Sequence, residues 1–235
     1  MKFIHLSHAL KTIKILDLIS DYLERKIMKN EDKLLFLKGI GKKYTDNEIF
    51  NKSHENILSN YKPSEKKVGL FTVCSWGKPY RQSYIHYMII SELIKNNLFD
   101  KIELIVLTNA GVIPYGFTDE YPYFAYDWDP NLETPEIKKI YIKILKKRLE
   151  EFLNKKSKYF IKFCCYLRHS SESFKVVKNI EEEFKILIPN FAINEKEIRK
   201  EEYDEISLGF YDDHDIYLVT KRSLNNLTTS LKKFL

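Results

Sequence analysis

Apolar residues recur at Leu10, Ile13, Leu16, Leu18, Ile19, Leu23 and Ile27, and this spacing predicts an amphipathic helix over residues 9–28. Thr45-Asp46-Asn47-Glu48 has the form of a capping box and predicts a short helix running to about Asn60. Tyr61-Lys62-Pro63-Ser64-Glu65 then breaks the pattern. Beyond it the rhythm changes. Val68 to Cys74 is an apolar run, the mark of a strand buried on both faces, and Ile102 to Thr108 (IELIVLT) is a second. Tyr159 to Leu167 reads as a third strand, Lys185 to Ile188 as a short fourth and Asp215 to Thr220 as a last one. Helices are expected over 84–98, 135–154, 171–184, 194–203 and 224–235. The second of these is opened by Thr134-Pro135, with proline in the first helical position. Asn109 to Pro130, rich in Tyr, Pro, Gly and Asp, reads as a long irregular stretch.

Strands alternating with helices of ten or more residues imply crossover connections, hence an α/β fold with a mostly parallel sheet. Residues 1–60 are expected as a helical segment layered on a main domain of residues 61–235, since no flexible linker separates the two. Sites in such sheets lie beyond the carboxyl ends of the strands. The segment VCSWGKPYRQSYIH (Val73–His86) follows the first core strand, Asn109–Pro130 follows the second and Arg168-His169-Ser170 follows the third. The chemically rich segments therefore fall on one edge.

A chain of 235 residues, 44% hydrophobic, is long enough for one large domain. A formal net charge of +6 permits a polyanionic partner without requiring one. Three cysteines, two of them adjacent, make no disulfide framework, and no spaced Cys/His set suggests zinc. The expectation is a reducing, cytoplasmic setting with no metal and no cofactor. The opening 26 residues carry acids within their apolar stretch and read neither as a signal peptide nor as a membrane span.

Cys74 falls at a strand end, where a helix N-terminus and the nearby Lys78 and His86 favour a thiolate, a competent nucleophile. The alternative is a small buried apolar residue. Ser83 stands where an N-cap belongs, and His86 follows on the same helical face, either to shuttle a proton or to bond a carbonyl. Lys78 on the rigid Lys78-Pro79-Tyr80 turn suits an anion or is simply solvated. Asp127 is a candidate general acid or a turn cap, and the aromatics between Tyr115 and Trp128 either stack on a base or pack the loop. The basic run Lys138, Lys139, Lys143, Lys146, Lys147 and Arg148 reads as a phosphate-binding face or a solvated one. The acidic segment 201–215 is expected to stay clear of nucleic acid.

Cys74-x3-Lys78-Pro79-Tyr80-x2-Ser83-x2-His86 resembles the signature of archaeosine synthase, the archaeal paralogue of tRNA-guanine transglycosylase. Leu107-Thr108-Asn109-Ala110-Gly111-Val112-Ile113-Pro114, followed by Tyr121-Pro122 and Tyr126-Asp127, resembles that family's Gly-Val-Val-Pro…Tyr-Pro…Tyr-Asp stretch, and His54 with Tyr61-Lys62-Pro63 its lead-in. The resemblance covers roughly residues 50–190. It implies a three-layer α/β/α sandwich similar to uracil-DNA glycosylase. It also implies amine addition to the nitrile of 7-cyano-7-deazaguanine in tRNA. Cys74, Lys78, His86 and Asp127 would then be catalytic, and Tyr80, Ser83, Asn109, Pro114 and Tyr126 would contact substrate. The partners implied are tRNA, a transglycosylase-like or PUA-containing subunit and a radical SAM protein. Val73 replaces the family's proline, and Tyr115-Gly116-Phe117-Thr118 stands where the family has Arg-Glu-Leu-Glu. No transglycosylase-like region or PUA-like tail is present in the sequence. A stand-alone paralogue, a non-catalytic RNA-binding or subunit module of a split enzyme, and a nucleobase hydrolase of glycosylase-like fold all remain open.

Overall fold

The computed structural model describes residues 36–235 apart from 76, 205 and 207–212. The helix expected over 9–28 lies outside the described residues. In chain order the elements are β1 (Leu37–Lys38), α1 (Lys42–Thr45), α2 (Glu48–Asn60), β2 (Lys67–Thr72), α3 (Tyr84–Lys95), β3 (Ile102–Thr108) and β4 (Gly111–Pro114). Then come β5 (Tyr126–Asp127), α4 (Pro135–Lys156), β6 (Phe160–Tyr166), α5 (Glu172–Phe184), α6 (Lys200–Asp204) and α7 (Lys221–Phe234).

The main sheet has the order β4-β3-β2-β6. β2 pairs in parallel with β3 and β6, while β4 is antiparallel at the edge of β3. β2 reaches β3 through α3, and β3 reaches β6, on the other side of β2, through α4. Right-handed crossovers running in opposite directions place α3 and α4 on opposite faces of the sheet. α2 and α5 pack with α4, while α7 and the 3₁₀ turn Ile216–Val219 pack with α3. The result is the α/β/α sandwich with a mostly parallel sheet that the alternation of strands and helices predicts. β1 and β5 form a separate two-stranded parallel pair.

The central strand is buried on both sides, as its apolar run requires: Val68, Leu70 and Phe71 are fully enclosed. Gly69 is placed by a neighbour. It pairs with Phe163 on β6, and a Cβ on Gly69 would lie 2.5 Å from the Phe163 ring. The ring crosses that gap and stacks on Phe71, centroids 5.3 Å apart and planes 2° from parallel. Helix starts follow the capping rule, with Thr134, Ser171 and Thr220 each accepting a backbone N–H three residues on.

Several boundaries differ from the sequence pattern. The cap of α2 is Asn47, whose side chain accepts from the Ile49 amide, while the Thr45 hydroxyl turns back to the Gly41 carbonyl. The stretch 109–130 is not wholly irregular, since it contains β4 and β5. Lys185–Ile188 forms no strand. The chain becomes extended only afterwards, where Asn190 bridges Cys165. Ile216–Val219 is a 3₁₀ turn rather than a strand, and the helix expected over 194–203 is divided into a 3₁₀ turn at Glu195–Glu197 and α6. Among the described residues, no helix is long and apolar enough to cross a membrane.

Candidate active site

β2 ends at Thr72, and the chain leaves the sheet through Val73, Cys74 and Ser75 toward α3. β2 and β6 are neighbours whose following helices lie on opposite faces, so the chain parts between them beyond their carboxyl ends. A cleft of about 580 Å³ lies there. Cys74 and Lys78 line it from the β2 side, Asn109 from the end of β3, and Asp127 and Trp128 from β5 and its exit. Arg168 lines it from the end of β6, and Ser171 and Glu172 from the start of α5.

Local sequence explains the loop. Gly77 passes against Ser83, where a Cβ would lie 2.9 Å from the serine Cβ. The Lys78–Pro79 peptide is cis. A single 3₁₀ turn, Tyr80–Gln82, carries Tyr80 inward before Ser83 caps α3 by accepting the His86 amide at 3.3 Å.

Cys74 is half-buried. Its Sγ lies 3.3 Å from the Tyr80 hydroxyl and 3.8 Å from the Tyr126 hydroxyl, and the two phenols are hydrogen-bonded to each other. Both phenols are held far above the ordinary tyrosine value, first by burial and then by negative charge on the Cys74 sulfur, so both stay protonated. The Lys78 ammonium donates to the Ser75 carbonyl at 3.3 Å and stands 4.3 Å from the Tyr126 ring centroid. Tyr44, from α1, packs against Tyr126 and Trp128 with centroids 6.4 and 5.6 Å away.

The cleft thus gathers Cys74, Lys78, Asn109 and Asp127. Tyr80 and Tyr126 lie behind the sulfur, fully buried. His86, also buried, turns to the Val73 carbonyl, and its imidazole is lowered to about 4 by burial. Ser83 is an N-cap. Pro114 sits buried in β4, paired with Ile105, away from the cleft walls. The basic run on α4 divides. Lys138 faces the cleft and pairs with Glu133 at 3.4 Å and Glu172 at 3.8 Å, and Lys146 is neutralised by Glu183 and Glu150. Arg148 is buried, which removes it from any phosphate-binding face.

The far wall contains residues that sequence reasoning did not select. Arg168 Nε donates to Asp215 at 2.9 Å, and Asp213 and His214 also line the cleft. Burial raises both aspartates, and the Arg168 charge opposes the rise at Asp215. These acids belong to the segment expected to stand clear of nucleic acid, and Asp212 and Glu205 of that segment lie outside the described residues. Trp128 Nε1 donates to Glu133 at 2.6 Å, and the Tyr141 and Ser173 hydroxyls bond at 2.8 Å. The one sequence signal for this wall is the position of Arg168 directly after a core strand.

A family model described as a domain of unknown function, DUF5591, matches residues 50–231. The chain belongs to this family. The DUF5591 match begins within α2 and ends within α7, so it includes every cleft-lining residue named above, while Tyr44 lies ahead of it. No curated protein matches the chain. Among solved structures, the chain is similar to the crystal structure of AF0587, a protein of unknown function, with 18% identity and a TM-score of 0.48. The alignment covers 76% of this chain and 49% of that one, so the chain spans about half the length of that protein.

Proposed function

We propose that this DUF5591 protein is a thiol-dependent transferase of tRNA modification, adding an amine to the nitrile of 7-cyano-7-deazaguanine in tRNA. The reading is supported by one observation above all. Cys74, Lys78 and Asp127, which carry the resemblance to archaeosine synthase, line a single cleft at the carboxyl edge of the sheet. The cleft volume suits one extruded base, and half-buried Trp128 offers a surface for stacking. A module that only binds RNA has no use for an accessible thiol in a cleft shared with a carboxylate.

In this reading Cys74 gives its proton to Asp127, and the sulfur attacks the nitrile carbon. A C–S bond forms and one π bond of the C≡N group opens. Asp127 returns the proton to the nitrogen, leaving a thioimidate. The amine then adds to the same carbon, the C–S bond breaks, and one amine proton passes through Asp127 to the departing sulfur. The product is an amidine, and the thiol is restored. Lys78 holds positive charge beside the sulfur throughout. The partners proposed are tRNA and a radical SAM protein acting on the amidine product.

The test is a Cys74→Ala protein incubated with nitrile-bearing tRNA and candidate amines, with nucleosides read by mass spectrometry. Product is expected to fall on the order of a thousandfold or more, as when a nucleophile is removed. Unchanged product formation removes Cys74 from the reaction and with it this reading. In cells, deletion is expected to accumulate 7-cyano-7-deazaguanosine in tRNA, and normal archaeosine would argue for another task.

A further inference from the structure

The Tyr80 and Tyr126 hydroxyls are hydrogen-bonded to each other, and the Cys74 sulfur lies 3.3 Å from the first and 3.8 Å from the second. Of the two phenol protons one is used in the bond between the oxygens, and the other is left to donate. Tyr80 is the nearer to the sulfur, so Tyr126 donates to the Tyr80 oxygen and Tyr80 directs its own proton to Cys74 Sγ. Both phenols are buried, so water does not compete for the proton between them.

We infer that Tyr80 and Tyr126 are catalytic residues that hold the Cys74 sulfur as an anion, through a chain of hydroxyl donors running Tyr126 to Tyr80 to sulfur. Hydrogen bonds given to the charged form of an acid favour that form. The chain approaches the sulfur from the protein side and leaves the side toward the cleft open for an electrophilic carbon. It serves the reaction twice, stabilising the anion before attack and again when the amine displaces it. No proton leaves the chain in either step, so the phenols stay neutral. The other titratable groups facing the sulfur are Tyr44 from α1, Lys78 from the loop, Asp127 from β5 and Tyr141 from α4. All four remain in place in the variants proposed below.

The role assigned to the phenols rests on Cys74 being the nucleophile, but its test needs no tRNA. Intact wild-type, Tyr80→Phe and Tyr126→Phe proteins are alkylated with iodoacetamide across pH, and the Cys74 peptide is quantified by mass spectrometry. In each variant the pH of half-maximal alkylation is expected to rise by about one unit, a roughly tenfold slower reaction at neutral pH. An unmoved midpoint in either folded variant overturns the inference, whatever its melting temperature, and one folded variant suffices. The two ideas fail separately. A shifted midpoint with no product from nitrile-bearing tRNA in the wild type sinks the transferase reading alone. Product in the wild type with an unmoved midpoint in the variants sinks the hydroxyl chain alone.

Discussion

His86 Nε2 donates to the Val73 carbonyl at 2.9 Å, tying the first turn of α3 to the residue that precedes Cys74. The ring is fully enclosed, and burial lowers its ionisation to about 4, so it is neutral at pH 7. A carbonyl only accepts, so the single proton of the neutral ring is on Nε2. The residue therefore positions the loop that carries Cys74 and does not reach the cleft.

Stability should follow from this in a defined direction. Between the ordinary histidine value and about 4, the unfolded chain binds a proton at His86 and the folded chain does not. Stability is thus fully present above the unfolded value and declines as pH falls toward the folded one. At pH 5 the loss is on the order of 2 kcal/mol from this residue. Urea unfolding at pH 7 and pH 5 should show a smaller loss for His86→Gln than for wild type, by about that amount. His54, lowered to about 4 by burial, contributes in the same direction to both proteins and drops out of the difference. Equal slopes would place the titration elsewhere.

Gly69→Ala should destabilise the sheet by about 1–3 kcal/mol, the usual cost of overpacking. The new methyl group meets a Phe163 ring that is stacked on Phe71 and cannot swing aside. In a double-mutant cycle, Phe163→Leu should recover part of that loss, because the smaller side chain vacates the contested volume. Additive effects would show that the ring is not the obstacle.

Arg148 donates to the Ala110 carbonyl at 2.9 Å, the Thr45 carbonyl at 2.9 Å and Asn51 Oδ1 at 2.8 Å. One guanidinium thus joins α4, the β3–β4 turn and the α1–α2 segment. Arg148→Met leaves those acceptors without their donor and should cost about 3–5 kcal/mol. Arg148→Lys should rescue little, since a single ammonium cannot reproduce the planar fork. A melting temperature within a degree of wild type for Arg148→Met would contradict this.

Alkylation of the native protein should add one group, at Cys74. Cys164 and Cys165 are fully enclosed in β6, and burial raises both thiols. In denaturant all three cysteines of the chain should react. Intact mass before and after unfolding checks both numbers, and a second adduct on the folded protein would show that β6 is open at its edge.

These features were unequally legible in the sequence. Buried strands such as Ile102–Thr108 and capped helices such as α4 are written in short-range patterns. Ile216–Val219 was not, because a run of enclosed apolar residues has the same appearance in a strand and in a tight helical turn. β4 escaped notice because it is only four residues long and ends in proline. At the site, Cys74 and Asp127 could be picked out by residue type and motif. The pairing of Arg168 with Asp215, 47 residues apart, depends on how β6 and the chain before α7 meet in space, and no local pattern encodes that. The roles of Tyr80 and His86 were obscured for a related reason. Their types announce chemistry, but only packing decides which atom each one faces.

Tyr44 lies ahead of the region shared across DUF5591, yet its ring forms part of the aromatic surround of Tyr126 and Trp128. The backbone that carries it is fastened to α4 through the Thr45 carbonyl. The family boundary is therefore not a safe place to shorten the chain. A fragment starting at residue 50 would retain every motif residue and lose a side chain packed against Tyr126 and Trp128, whereas one starting before Gly41 would keep it.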